Sequence, residues 1–473
     1  MEGFFLVTIQ ETELKEGILE AIEKAKSMSK PILVSEVQHI NHIDPLSFFM
    51  AGQENYIGER FFWKDPSNET IMIGLGISKQ IQSAQAAGRF FHVKKEWKRF
   101  MDDAIIYNPH KVNGIGPVLF GGFSFDPIKE KTKLWEKYAD SIFKIPKFMY
   151  SEINGEAFLT TNIICTQHDD GSLDEKVIAE RRTILSTLST VQNKKAFNLI
   201  NEIEVNPEQW KQSVTSIVDE LKQTSLNKIV LARELRLFFD DEIQVEFVLK
   251  HLLAEQLESF VFAFESNGDC FLGASPERLV KKNGENLFST CLAGSISRGK
   301  TEEEDRILGN ILLNDPKNII EHQYVVQMIK EAMEEVCEEV ILPKETQLLK
   351  TRYIQHLYTP VIGKANEQTS LLSLVERLHP TPALGGLPKE AAVEKIRKVE
   401  ELDRGLYGAP LGWMDYRGNG EFAVSLRCGL VQGKEASLFA GCGVVEDSVA
   451  ESEYIETKIK FSPMLTALGG KIV

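Results

Sequence analysis

Near the end of the chain, an apolar run, Leu438-Phe-Ala-Gly-Cys-Gly-Val-Val, is followed by Glu453, Glu456 and Lys460 at helical spacing. Gly441 and Gly443 bare the backbone of the run, and the two acids and the lysine fall on one helical face above it. Such a pocket suits an anion together with a metal ion. The same spacing also suits a solvated Glu456–Lys460 surface pair, and this segment alone favours that pair.

Other residues of the same kind are scattered upstream. Lys228 lies inside the apolar strand pattern Lys228-Ile-Val-Leu-Ala, where desolvation would lower its pKa and make it usable as a base. From the strand alone, a lysine reaching solvent from the strand end is the preferred reading. Glu277 follows Gly273-Ala-Ser-Pro at the end of another apolar run; a carboxyl buried there would be a general acid, but an ordinary strand-end glutamate is the commoner case. Glu321 heads the stripe Tyr324, Val325, Met328 and Ala332, and with Glu456 it would give a two-carboxylate Mg²⁺ site with positions left for water and substrate oxygens. Its neighbour His322 reads as packing. His356 and Arg427 interrupt apolar strand patterns, and an arginine in such a place needs an anionic partner, internal or bound. His110 and His168 are isolated and read as surface residues.

The elements that must position these residues divide near residue 205. Before it the pattern is mixed α/β: strands over 71–76 and 118–125, a helical stretch over 77–104 broken near Gly88, a hairpin turned at Asn154-Gly155, a helix over 174–192 and a polar connector at 193–196. After it, Asn206-Pro207 supplies an N-cap and a first-turn proline for a helix carrying Trp210, Val214, Ile217 and Leu221. Then come a strand over 227–233, a helix over 245–256, and strands over 259–266, 270–280 and 287–295 joined at Asn267-Gly268 and Asn283-Gly284. Helices over 302–313 and 318–340 follow, and a hairpin turns at Gly418-Asn-Gly420. Strands and helices come in runs, which predicts an α+β fold with mostly antiparallel sheets.

Charge and cysteine usage exclude several function classes. With 69 acidic and 54 basic residues the net charge is −15, which argues against nucleic acid and requires any anion site to be built locally. No apolar stretch approaches the length of a membrane span, and residues 1–8 lack the basic n-region of a signal peptide. Six cysteines stand singly without any C-x-x-C, which fits a reducing cytoplasm better than a zinc site or disulfide framework.

Taken in order, Lys228-Ile-Val-Leu-Ala-Arg233, Gly273-Ala-Ser-Pro-Glu-Arg278, Leu292-Ala-Gly-Ser295, Glu321-His322, His379-Pro-Thr-Pro-Ala-Leu384, Leu426-Arg-Cys428, Ala440-Gly-Cys-Gly443 and Glu453-x-x-Glu-Thr-x-x-x-Lys460 resemble the chorismate-utilising enzymes, and most of all the isochorismate synthases. The resemblance covers about residues 206–468; the region before it is similar to that of the menaquinone-pathway members. It implies two large, mostly antiparallel sheets packed face to face with helices outside, as in anthranilate synthase component I, with residues 1–205 completing the fold. It also implies Mg²⁺-dependent conversion of chorismate to isochorismate. Carried over, Lys228 is the base that activates water for attack at ring C2, and Glu277 protonates the departing C4 hydroxyl. Glu321 and Glu456 hold Mg²⁺, with Glu453 behind them. Arg427, Lys460 and the Gly441 backbone hold substrate carboxylates, Gly294 lines the site, and His356 lies near the ring. Ammonia-using relatives lack the lysine and usually have threonine where this chain has Ala383, followed by Leu384, so water is the implied nucleophile and no glutamine amidotransferase subunit is expected. Salicylate synthases keep the lysine and form the alternative within the family. A silent metabolite-binding protein would need a broken position, and none is broken. Asn318 stands where the family usually has aspartate.

Overall fold

The hairpins form where Asn-Gly pairs tolerate positive φ. Asn154 and Gly155, at φ 51° and 83°, turn Ser141–Ile153 back onto Glu156–Cys165. Asn267 and Gly268, at 49° and 88°, join Phe260–Ser266 to Asp269–Ser275 in the same way. The computed structural model describes residues 12–188, 197–366 and 369–470; residues 1–8 and the connector at 193–196 lie outside them.

The strands form two faces that share Ser141–Ile153. One face runs from that strand through Thr70–Ser83, Phe61–Lys64, Phe260–Ser266, Asp269–Ser275, Cys428–Gln432 and Glu435–Val444 to Lys228–Phe239. The other leaves its first half through Val118–Phe123 and passes along Pro410–Asp415, Gly420–Val424, Arg278–Asn283 and Asn286–Ser297 to Ile354–Ala365. These pairings are antiparallel; Ile32–Ile40 against Ile105–Tyr107 is parallel. Aromatic rings fill the space between the faces: Phe120 stacks on Phe61 with centroids 4.2 Å apart and meets Trp63 and Phe264 edge-on. The architecture is the expected α+β fold of mostly antiparallel sheets. Helices lie on it by their apolar stripes, Pro316–Glu334 against Asn286–Ser297 and Ile354–Ala365, and Ala450–Ala467 against Glu435–Val444. Strands on either side of residue 205 pair directly, Phe61–Lys64 with Phe260–Ser266 and Val118–Phe123 with Pro410–Asp415.

Several expected elements differ. Residues 77–83 continue the strand Thr70–Ser83, and the helix begins at Arg89. A bulge between Ile77 and Lys79 breaks the alternation there, so the period of a strand is lost from the sequence. The helix expected over 318–340 is Pro316–Glu334, and Cys337–Ile341 is a strand. Asn206 occupies the N-cap position of Pro207–Leu221 at φ 44°, but its side chain donates to Glu401 instead of accepting from the helix. Residues 270–280 are two strands, interrupted at Pro276 and Glu277.

Candidate active site

That last interruption opens the site. Asp269–Ser275 pairs with Cys428–Gln432 on one face, whereas Arg278–Asn283, just beyond Glu277, pairs with Gly420–Val424 on the other. The partner chain breaks opposite, at Ser425-Leu426-Arg427. Two neighbouring strands therefore change sheets side by side. Backbone contacts lock the break: the Val424 N–H donates to the Glu277 carbonyl at 3.0 Å, and the Ser275 hydroxyl donates to the Val424 carbonyl.

A cavity of about 190 Å³ lies there. Its wall includes Glu277, Gly294, His356, Ala383, Leu384 and Arg427 from strands and loops, Glu321 from one helix, and Gly441, Glu453, Glu456 and Lys460 from the closing strand and helix. Lys228 sits immediately behind this wall, 2% exposed, with its ammonium donating to Glu321 Oε1 at 2.5 Å. The strand-end readings of Lys228 and Glu277 give way to burial, because both side chains are enclosed where strands and a helix meet. Glu456 and Lys460 do pair, at 2.6 Å, but on the cavity wall and not on an outer face, and Lys460 also donates to the Gly441 carbonyl at 2.9 Å.

The glycines make the approach possible. A Cβ on Gly443 would lie 2.7 Å from Lys228 Cε and 3.4 Å from Glu321 Oε1, so the missing side chain is the room in which that ion pair sits. Gly294 occupies an irregularity between Leu292 and Ser295 at φ 79°, a conformation that disfavours other residues.

The charges are arranged unevenly. Burial pushes the Glu277 carboxyl up to about 8, although Arg427, Lys228 and Lys460 pull the other way, so it is largely protonated at neutral pH. Burial also opposes ionisation of Glu456, but Lys460, Arg427 and Lys228 overcome it and hold the group below the usual carboxylate range. Burial and the Glu456 charge raise Glu453, which hydrogen-bonds Ser448 and Cys442. One cavity thus contains a neutral carboxylic acid and an anionic carboxylate, the division needed for acid and anion roles. Burial, then Arg427 and Lys460, drive His356 far below its ordinary value; its ring bonds the Gly294 backbone and its Nε2 has no partner among the described residues. Arg427 is held at φ 47°, and among the described residues no carboxylate lies within 4.0 Å of its guanidinium. His322 is packed as expected, against the Ala293 carbonyl and Thr359 hydroxyl.

Tyr407, Lys317 and Ser295 also line the cavity and were not among the sequence candidates. The Tyr407 hydroxyl would stand 3.1 Å from a Cβ on Gly441. It comes from a loop between Gly405 and Gly408, where no periodicity marks one residue above another. Asn318 Oδ1 would stand 3.0 Å from a Cβ on Gly294, and its amide donates to Asp315 across one helical turn.

For a metal, the donor set is informative. Among the described residues no three His, Cys, Asp or Glu side chains form a close ligand cluster. Two carboxylates on one cavity, each already neutralised by a lysine, suit a hard cation that takes its other ligands from water and substrate oxygen, and do not suit zinc.

The chain matches the family model described as chorismate binding enzyme over residues 20–469. It is 44% identical over 472 residues to isochorismate synthase MenF of Bacillus subtilis (strain 168), spanning 98% of this chain and 99% of that one. To the salicylate biosynthesis isochorismate synthase of Pseudomonas aeruginosa it is 33% identical over 467 residues, 95% of this chain and 94% of the other. The solved structure of MenF, the menaquinone-specific isochorismate synthase from Escherichia coli, shares the fold with a TM-score of 0.75 at 23% identity, covering 96% of this chain and 100% of that one.

Proposed function

This chain belongs to the chorismate-binding enzyme family, and we propose that it is an isochorismate synthase serving menaquinone formation, with Lys228 and Glu277 as its base and acid. The observation that carries the assignment of roles is the placement of a protonated Glu277 and a buried Lys228 around one cavity.

Lys228 takes a proton from water as its oxygen bonds to ring C2; the ring double bonds shift, the C4–O bond breaks, and the leaving oxygen takes the Glu277 proton and departs as water. Atoms balance, and the ring is isomerised without oxidation. Arg427 and Lys460 bind the carboxylates, and His356 offers Nε2 as an acceptor for a substrate hydroxyl. Ala383 and Leu384 give an apolar wall that offers ammonia no hydrogen-bond acceptor, which favours water and an enzyme working without a glutamine amidotransferase subunit. Glu321 and Glu456 would hold Mg²⁺, which when bound would supply positive charge to substrate oxygens and compete with Lys228 for the Glu321 carboxylate. Residues 1–205 complete the unit that carries this site. The single, mostly buried cysteines support a reducing cytoplasm, and among the described residues no helix is long and apolar enough to cross a membrane.

The test is incubation with chorismate and Mg²⁺ and resolution of the products. Isochorismate alone is expected. Salicylate with pyruvate would make the enzyme a salicylate synthase, and unchanged chorismate would make it a silent binder.

A further inference from the structure

A second cavity, of about 420 Å³, lies beside the catalytic one and shares the strand Lys228–Phe239 with it. Its volume falls within the range of small-molecule sites, about 300–1,000 Å³. Leu134, Val205, Leu231, Val399 and Leu402 give it apolar walls. Its acids are already engaged: Glu234 with Arg236, Glu400 with Arg404 and the Ala232 N–H, Glu401 with Asn206 and Gln209, and Asp403 with the Thr132 and Gly405 N–H groups. Its donors are not. Trp210 and Arg233, 7% and 3% exposed, line the cavity, and the Trp210 Nε1–H and Arg233 Nη2–H have no acceptor among the described residues. Leaving a buried donor unmet is costly, and a guanidinium prefers an anionic acceptor.

We propose that this cavity is a second ligand site for a small aromatic monocarboxylate, whose carboxylate meets Trp210 Nε1–H and Arg233 Nη2–H and whose ring lies on the apolar walls. The surrounding acids disfavour a dianion, which separates this ligand from a substrate with two carboxylates. Occupancy is felt at the catalytic cavity by two routes. Glu400 holds Arg404, which donates to the Leu384 and Val230 carbonyls at 3.0 and 2.7 Å, and both of those residues line the catalytic cavity. Arg233 Nε donates to the Thr457 hydroxyl at 2.7 Å, next to Glu456.

The test uses indole-3-acetate and 4-hydroxyphenylacetate as probes, with indole-3-acetamide as the neutral control, against full-length protein labelled at the tryptophan indole nitrogens. The Trp210 indole signal, assigned by its loss in Trp210→Phe, is expected to shift saturably with the acids and not with the amide. Trp210→Phe and Arg233→Gln should each weaken acid binding about tenfold, and saturating acid should change the KM for chorismate. Because Arg233→Gln could unfold, Ser213→Phe, which fills the cavity from its helix, serves as a second variant; it should abolish acid binding and leave basal turnover intact. No saturable shift with either acid at millimolar concentration, or an equal shift with the amide, overturns the site. Binding with unchanged KM and kcat overturns the coupling.

Discussion

Two arginines deep in the fold are treated in opposite ways. Arg60, 3% exposed, is enclosed by acceptors: Glu265 at 2.6 and 3.0 Å, Glu246 at 2.8 Å, and the Phe49 carbonyl at 3.1 Å. Glu265 also accepts the Gly58 N–H, so the cluster is closed on itself. Arg427 has no such enclosure. It stands at the wall of the candidate site in a left-handed backbone conformation, feeling Tyr407, Glu456 and Glu277 only at longer range. The difference teaches that burial alone does not separate a structural cation from a functional one; counting its partners does. A cation satisfied internally pins two elements together, while one left open is available to a ligand, the role proposed for Arg427.

The contrast can be tested from its strongest side. Lys228→Ala removes the proposed base and is expected to lower kcat by about 10³-fold, with Mg²⁺ binding retained by calorimetry. Near-normal turnover would remove Lys228 from that role. Next, Arg427→Gln and Arg60→Gln should fail in different assays. The first should raise the KM for chorismate about 100-fold with little change in Tm, and the second should cost about 3–5 kcal/mol of stability with KM unchanged in the folded fraction. Equal destabilisation by both would erase the comparison.

A smaller effect is expected from Gly443→Ala. Its methyl would press on Lys228 and Glu321, and a displacement of that order should lower kcat about tenfold while the fold stays intact. A last effect concerns pH. The folded Glu277 carboxyl, at about 8, keeps its proton where the unfolded chain, near 4.5, has lost it. The native state therefore binds more protons across that window, and stability falls as pH rises through it. Relative to the parent, Glu277→Gln should gain Tm progressively from about pH 4.5 to 8. A pH-independent difference would contradict the buried, protonated acid. Turnover of the parent should also decline above about pH 8 as that proton is lost.

What could be read before folding was local or carried by many residues at once. Asn154-Gly155 and Asn267-Gly268 announce hairpins because positive φ is a property of the turn residues themselves. The helix Pro207–Leu221 shows in its apolar spacing, and the family in a long ordered series of motifs. Residues 77–83 were misread because a bulge set by the neighbouring strand shifts the alternation, and no residue in the segment reports its partner.

The sequence by itself determined which chemical groups are available: one lysine in an apolar strand, acids at helical spacing, glycines that clear a path, and an arginine that needs an anion. The tertiary structure alone decided how they act. Docking of the helix Pro316–Glu334 brings Glu321 against Lys228, 93 residues away, and the two adjacent strand breaks set Glu277 and Arg427 around one cavity. Desolvation then keeps one carboxyl neutral while Lys460 keeps another charged. Type and spacing are written along the chain, but burial and partnership depend on contacts distant in sequence, and it is these that turn a possible surface pair into the wall of the proposed active site.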